Sequence, residues 1–337
     1  MAGYECSSVR GYTVDGMPQP NSATSSAPSS TLAPFALRPV LVERIWGTTD
    51  LKPWHDAAVS GGPVGEIWLT AENCEAAAGA EAGKTLKELT AASPEALGDR
   101  AHEGFPLLIK LLFPREKLSV QVHPNDEQAQ ALGMPRGKTE CWYVLSAEAG
   151  AQVAVGFNEP LSTDEVKAAI ADGSLESKLR MIPVKAGDMV FVDAGTVHAI
   201  GPGMVVLETQ QYSDTTYRLW DYGRPRELHV DAGTAVTRTS TAAGLVEPEV
   251  MDGFTRLVTS AYFAVDRFDL SAGATQSLAA ASHLQILISL AEDVVLTAGE
   301  QAPIALPRAQ AVVVPAGESV WQLESRSSAA VIRVLQP

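Results

Sequence analysis

Residues 185–198 read KAGDMVFVDAGTVH, and residues 308–320 read RAQAVVVPAGESV. In each, an apolar run leads into a turn built on Ala-Gly. Asp193-Ala194-Gly195-Thr196-Val197-His198 of the first copy lines up with Pro315-Ala316-Gly317-Glu318-Ser319-Val320 of the second. Self-similarity of this kind is the mark of a duplicated structural unit, so the pair predicts two related β-barrels. The histidine that ends the first copy is a valine in the second, which predicts that only the first barrel kept a metal ligand. The competing reading is two ordinary strand–turn–strand units.

The chain around these segments fits a β-rich protein. Short apolar stretches bounded by turn residues recur at Leu107–Leu112, Leu118–Gln121, Cys141–Leu145, Val190–Val192, Val205–Leu207, Leu284–Leu290, Ala311–Pro315 and Ala330–Leu335. Many strands at short spacing suggest a sandwich or barrel. A few short helices interrupt them. Ser93-Pro94 reads as an N-cap with proline at the first helical position. Asn125-Asp126 before EQAQAL, with Gly133 beyond, reads as a capped helix. Ser162-Thr163-Asp164-Glu165 is a capping box. The tract PNSATSSAPSSTLAP carries too little apolar surface to offset ordering entropy. The polar stretch TRTSTAAG (237–244) is the natural join between halves. The expected organisation is therefore a disordered tail over 1–33, a metal-binding domain over 34–237, and a β-barrel without metal ligands over 238–337.

Composition narrows the function. The 337 residues carry a formal net charge of −15 and no Lys/Arg cluster, which argues against nucleic-acid binding, since phosphate neutralisation needs clustered cations. Cys6, Cys74 and Cys141 form no CxxC pair, so neither a disulfide framework nor a cysteine zinc site is indicated. No apolar run reaches the roughly 18 residues of a membrane helix, and the N-terminus lacks a signal-peptide pattern. A cytoplasmic enzyme without a membrane partner is the expectation.

Three segments carry ligand-type residues. In LSVQVHPNDE, Gln121 and His123 alternate with Val120 and Val122, so both project from one face of a strand. In GKTECWYVL, Glu140 opens an apolar strand, where a carboxylate is out of place without a partner. In the third, Gly187 is followed after five residues by Asp193-x-Gly195-x-x-His198. This resembles the second cupin motif, with Asp193 where proline is usual. A lone histidine near a turn is more often structural. Ligand types in three strand segments, one with a cupin-like turn, outweigh that reading. Two imidazoles, a carboxylate and an amide oxygen suit one zinc ion and leave room for water or substrate, as catalytic sites do. Manganese, iron and cobalt accept the same set.

The segments ERIWGT (43–48), PVGEIWLTA (63–71), FPLLIKLL (105–112), LSVQVHP (118–124), GKTECWYVL (137–145), AGTVHAI (194–200) and LETQQYSDTTYRLWDYGR (207–224) resemble type I mannose-6-phosphate isomerase in its short bacterial form. The likeness runs from about Phe35 to Val230. It implies a cupin (jelly-roll) fold, mainly β, with zinc held by Gln121, His123, Glu140 and His198. It also implies interconversion of mannose 6-phosphate and fructose 6-phosphate. Arg218 matches the family's catalytic arginine, and Lys110 and Lys138 match lysines of its pocket. Ile200 departs from the pattern, standing where some relatives have a polar residue two places after the second zinc histidine.

These residues suit the implied chemistry, a 1,2-proton transfer through an enediol. Arg218 can stabilise charge developing on the carbonyl oxygen; the competing reading is a salt bridge to Asp214 or Asp221. Lys138, two residues before Glu140, shares its strand face and can orient a hydroxyl or the phosphate; otherwise it is a solvated lysine. Lys110 lies in an apolar strand, which favours a polar cavity beside it. Lys110, Lys138, Arg218 and Arg224 are the pool for the phosphate. Glu208 is a candidate base, or equally a partner to a zinc histidine; Asp214 is a weaker candidate. The alternatives are a cupin metal oxidoreductase and a non-catalytic sugar-phosphate sensor. The expected partner is a small-molecule sugar phosphate, and the chain is expected to be a monomer or homodimer.

Overall fold

The computed structural model describes residues 32–56, 59, 61–99, 103–299, 302–317 and 319–336. Cys6 and the tail expected over 1–33, as far as residue 31, lie outside the described residues. The chain opens with β1 (Phe35–Ala36), β2 (Val40–Thr48), β3 (Val64–Trp68) and helix α1 (Leu86–Ala92). Then come β4 (Leu107–Leu112), β5 (Val120–Val122), α2 (Asp126–Ala131), β6 (Glu140–Ala147) and β7 (Gln152–Phe157). Helices α3 (Thr163–Asp172) and α4 (Leu175–Lys178) precede β8 (Leu179–Pro183), β9 (Met189–Val192), β10 (His198–Ile200), β11 (Met204–Gln211) and β12 (Tyr217–Trp220). After α5 (Val230–Val236) come β13 (Gly244–Val246), β14 (Glu249–Val250), β15 (Thr255–Thr259), β16 (Ala264–Leu270), β17 (Thr275–Leu278) and β18 (Gln285–Ser289). The last strands are β19 (Val294–Thr297), β20 (Ile304–Leu306), β21 (Ala311–Val314), β22 (Trp321–Ser325) and β23 (Ala329–Leu335).

The strands form two barrels, each a seven-stranded sheet facing a smaller one. The first pairs β13-β9-β6-β11-β4-β3-β2 with β12-β5-β10-β7-β8, and the second pairs β1-β21-β18-β23-β16-β15-β14 with β17-β22-β19-β20. Strand for strand, β9-β6-β11-β4-β3-β2 repeats as β21-β18-β23-β16-β15-β14, and β5-β10-β7-β8 repeats as β17-β22-β19-β20. The two jelly-roll barrels are thus related, as the duplicated turn suggests. The edge strands are exchanged. β1, from the chain's start, pairs with β21 of the second barrel, while β13, beyond residue 237, pairs with β9 of the first.

Burial explains why the central strands read as unbroken apolar runs. The two large sheets pack face to face through one core that includes Leu107, Ile109, Leu111 and Leu207 from the first and Val265, Ile286, Ile288, Ile332 and Val334 from the second. A fully buried side chain of this kind contributes about 1.5–3 kcal/mol. Each barrel has its own interior as well, built around Trp142, Val144, Val190 and Val206 in the first and Phe268, Leu287, Leu296 and Leu323 in the second. A further cluster joins Leu161, Val166 and Ile170, at and near α3, to Leu219 of β12. β4 is buried at every position because both faces are covered.

The capping boxes at Asn125 and Ser162 form as read from the sequence. The reading at Ser93-Pro94 does not hold. Ser93 is the C-cap of α1, and residues 94–98 make only turns that end at Gly98 with φ 75°. The helix lies one step earlier, opened by the Thr85–Glu88 capping box.

The duplication reaches into the barrel interiors. Across the first large sheet one row of partners runs Trp68, Lys110, Glu208, Trp142. The equivalent row of the second runs Arg256, Asp266, Arg333, Leu287. The Lys–Glu pair of one barrel becomes an Asp–Arg pair of opposite polarity in the other. Asp266 is fully buried, takes both Nε and Nη2 of Arg333 on Oδ2 at 3.0 and 2.6 Å, and takes Arg256 on Oδ1. The Arg333 guanidinium lies 5.2 Å from the Phe254 ring and 4.8 Å from the Phe268 ring. This network is satisfied. Removing one member strands a buried charge, which costs several kcal/mol. Arg333→Leu is expected to lower unfolding free energy by about 3 kcal/mol, read from a urea titration; an unchanged midpoint would contradict the network's role.

Candidate functional site

The site lies at one end of the first barrel, where its two sheets converge. In the small sheet one row runs Arg218, Gln121, His198, Val155 across β12, β5, β10 and β7. In the large sheet Glu140 opens β6 opposite Gln210 and Val192. The Gly195 turn returns the chain at His198. Gly195 has φ 86°, and a Cβ there would stand 2.6 Å from Arg238 Cδ, so only glycine fits. Gly195 N donates to the His123 carbonyl at 2.9 Å, tying the turn to the end of β5. Asp193, where the motif usually has proline, accepts from Thr196 Oγ1 at 2.8 Å and pairs with Arg238 at 3.0 Å.

His123, Glu140 and His198 are buried, and each offers one ligand atom within 4.8 Å of the others. Both imidazoles have Nδ1 against a backbone carbonyl, Thr215 O at 2.8 Å for His123 and Thr196 O at 2.9 Å for His198. That contact fixes the proton on Nδ1 and leaves the Nε2 lone pair facing inward, the arrangement of a metal ligand. His123 Nε2 lies 3.6 Å from Glu140 Oε2, and His198 Nε2 lies 3.4 Å from Glu140 Oε1. Gln121 Nε2 lies 3.2 Å from His198 Nε2. A 180° flip of that amide presents Oε1 to the same space.

The fit to a cation rests on Glu140. Both its carboxylate oxygens are buried and accept no hydrogen bond. Lys138 Nζ stands 3.1 Å from Oε2 as an ion-pair neighbour, a contact of charge without hydrogen-bond geometry. A buried carboxylate without hydrogen bonds is costly. A divalent ion between the two Nε2 atoms would relieve that cost, and the N/O donor set suits it.

The other expected residues are distributed around this cluster. Lys138 Nζ is 3.3 Å from His123 Nε2. Burial pulls its pKa down, but Glu140, Glu208 and Glu66 outweigh burial and hold it above the usual lysine range. Lys110 pairs with Glu208 at 3.2 Å and lies 5.3 Å from the Trp68 ring centre. Glu208 also accepts from Trp142 Nε1 at 3.2 Å. Trp142, not Glu208, meets a histidine, its ring edge-on to His198 at 5.5 Å. Arg218 donates from Nη1 to the Glu227 carbonyl at 2.8 Å, and its buried Nε has no partner. Asp221 is paired with Arg224 and Arg226 rather than Arg218, and Asp214 is exposed. Ile200 is buried in the barrel interior.

Two residues of this neighbourhood were not singled out from the sequence. Glu66 is buried, receives Arg44 at 2.9 and 3.2 Å and accepts from Trp68 Nε1 at 2.5 Å. The signal was available, because an acid inside the apolar strand VGEIW poses the same question as Glu140. Trp68, beneath Lys110, carried no such signal, since an aromatic in a strand is ordinary.

Comparison with known proteins follows the same line. Residues 35–150 match the family model described as phosphomannose isomerase type I, catalytic domain. A mannose-6-phosphate isomerase of Streptococcus mutans is 34% identical over 304 residues, covering 86% of this chain and 95% of the relative. Mannose-6-phosphate isomerase ManA of Bacillus subtilis is 38% identical over 260 residues, 73% of this chain and 82% of that one. The crystal structure of a mannose 6-phosphate isomerase from Bacillus subtilis superposes with a TM-score of 0.81 at 31% identity, covering 90% of this chain and 99% of that chain. No helix among the described residues is long and apolar enough to cross a membrane.

Burial holds His123 well below its usual pKa range, with Lys138 adding to the shift, and holds His198 down at about 4 against the pull of the Thr196 carbonyl. Both are neutral in the folded protein at pH 7. The unfolded chain takes up protons on both near pH 6.5, while the native state does not. Their stabilising contribution is therefore complete above about pH 6.5 and is lost as pH falls toward the folded values, at up to about 1.4 kcal/mol per pH unit for each. Urea titrations of chelator-treated protein from pH 7.5 to 5 are expected to show this decline, absent from a His123→Gln/His198→Gln variant. Equal slopes in the two proteins would contradict it.

Proposed function

The chain belongs to the type I mannose-6-phosphate isomerase family, and from that premise we propose that Gln121, His123, Glu140 and His198 hold one zinc ion beside which Arg218, Lys138 and Glu208 act on the sugar phosphate. The activity is the interconversion of mannose 6-phosphate and fructose 6-phosphate. The observation that carries the reading of the site is the buried Glu140 carboxylate, without a hydrogen bond, between two histidine Nε2 atoms. The metal-binding unit is taken to lie within residues 34–237 and the second barrel within 238–337, apart from the exchanged edge strands β1 and β13, with the Asp266 network inside the second barrel.

When bound, zinc supplies a Lewis acid that favours negative charge on a substrate oxygen. Everything else is done by side chains. The open-chain sugar must lose a proton from one of C1 and C2 and regain it on the other. Glu208, held by Lys110 and Trp142, takes that proton on Oε2 and returns it to the neighbouring carbon. Arg218 keeps an unpartnered Nε and stabilises the oxygen on which charge develops. Lys138, held charged by its carboxylate neighbours, donates to a substrate hydroxyl. Lys110, Lys138 and Arg218 supply positive charge for the phosphate, because Arg224 is committed to Asp221 and Glu116. The buried row behind them excludes water that would otherwise exchange with the enediol.

Purified protein is expected to convert mannose 6-phosphate to fructose 6-phosphate, to lose activity at least about 100-fold on chelation, and to regain it with zinc. Full activity in metal-free protein would reject the metal reading. No turnover at one zinc per chain would reject the substrate. In the same assay Glu208→Gln is expected to lower kcat about 10²–10⁴-fold with zinc content unchanged; near-normal kcat would remove Glu208 as the base.

A further inference from the structure

The three residues that lead into Glu140 are held by an unusual set of partners. Gly137 N donates to Asp126 Oδ1 at 2.7 Å, Lys138 N to the Pro124 carbonyl at 3.0 Å, and Thr139 N to Gln211 Oε1 at 2.9 Å. Three consecutive amides thus reach three different residues, and none of the three bonds belongs to the sheet. Gly137 must be glycine, because a Cβ would stand 2.5 Å from the Asn125 carbonyl carbon and 2.6 Å from Pro124 O. The segment is pressed against the backbone that follows His123. Lys138 Nζ, carried by the middle residue, ends 3.3 Å from His123 Nε2 and 3.1 Å from Glu140 Oε2.

Asp126 is the hub of this arrangement. Its Oδ1 also accepts from Gln211 Nε2 at 2.8 Å, and Gln211 is the residue whose Oε1 holds Thr139. Gln211 N donates in turn to the Thr139 carbonyl at 3.1 Å. The Tyr262 phenol comes to it from the other barrel: burial and the neighbouring Asp126 carboxylate raise its pKa, and both side chains line the same cleft. Tyr262 lies in the turn between β15 and β16. Ser260 Oγ accepts from both Tyr262 N at 3.2 Å and Phe263 N at 3.1 Å, and Phe263 is fully buried in the core between the barrels. The phenol is therefore presented by a fixed turn. A cleft of about 180 Å³ lined by Asp126, Gln130, Arg136, Gln211 and Tyr262 lies alongside, so water stands ready to replace any partner that is lost.

We propose that Asp126, with Tyr262 of the second barrel beside it, is a positioning residue that sets the Gly137–Thr139 segment and thereby the placement of Lys138 and Glu140 at the metal site. This gives the barrel without ligands a part in the chemistry of the other. The inference rests on the site reading above only for its effect on turnover; the effect on the backbone stands without it. A displacement of about 1 Å at a reacting group is enough to lower turnover about 100-fold, whereas the fold as a whole depends on the core between the sheets.

The test uses the full chain with Asp126→Ala, Asp126→Asn and Tyr262→Phe. Asparagine keeps Oδ1 as acceptor for Gly137 N and Gln211 Nε2, and its amide can donate to the tyrosine oxygen, so it is the rescuing variant. Hydrogen exchange of the Gly137 amide, read by NMR on metal-free protein, is expected to speed up at least about tenfold in Asp126→Ala, a few-fold in Tyr262→Phe, and little in Asp126→Asn. At equal zinc content, kcat is expected to fall about 10–100-fold in Asp126→Ala with KM within about threefold, and to recover in Asp126→Asn. Wild-type exchange and kcat in both Asp126→Ala and Tyr262→Phe would overturn the proposal. Should Asp126→Ala fail to fold, Tyr262→Phe decides alone, and unchanged exchange overturns it. Altered exchange in a protein that turns over no sugar phosphate in any variant would sink the functional reading and leave the positioning role standing.

Discussion

Glu140 begins its strand with no hydrogen bond to either carboxylate oxygen, at a depth where solvent does not reach. Folding removes its hydration and returns only the charge of Lys138 and the two inward-facing imidazoles. Such a group is stable only where opposite charge is supplied. Much of the surrounding structure reads as provision for it. The Gly195 turn delivers His198, and the carbonyls of Thr215 and Thr196 fix both imidazole tautomers. The amides of residues 137–139 set the strand's entry.

The second barrel shows the other solution to the same problem. At the register of Glu140 it has Gln285, and in the row that matches Lys110 and Glu208 it buries Asp266, whose two oxygens are taken up by two guanidinium groups, one of them bracketed by phenylalanine rings. That network is complete in itself and offers nothing to a ligand. The duplicated fold thus carries two buried acid–base rows of reversed polarity, Lys110–Glu208 in one barrel and Asp266–Arg333 in the other, and only the first barrel adds a buried carboxylate without hydrogen bonds, Glu140. The barrels differ in these side chains and in β12, the strand that carries Arg218 and has no counterpart in the second barrel, while the remaining strand order is shared.

What could be read from the sequence was what periodicity and misplaced charge encode. Gln121 and His123 share a face because strands alternate, and the structure puts both at the cluster. Glu140 and Lys110 were conspicuous as charges in apolar runs, and both prove buried beside partners. The Asp193–His198 turn announced the barrel and its duplicate. Other features had no local signature. The exchange of β1 and β13 between barrels depends on pairing partners more than fifty residues away or farther along the chain. Ser93-Pro94 is a sound N-cap sequence, but Gly98 ends the turn before a helix can form. Asp126 looks like an ordinary first-turn acid, and only the fold bonds Gly137 and Gln211 to it and brings Tyr262 into the same cleft.

The central claim is that one divalent ion belongs between His123, Glu140 and His198, with Gln121 completing the set, and that the other barrel holds none. Anomalous diffraction at the zinc edge, on crystals grown with one equivalent of zinc, addresses it directly. The account expects a single peak about 2.0–2.2 Å from His123 Nε2, His198 Nε2, a Glu140 oxygen and the Gln121 amide oxygen. A peak bound elsewhere, or none at these four side chains, would contradict it.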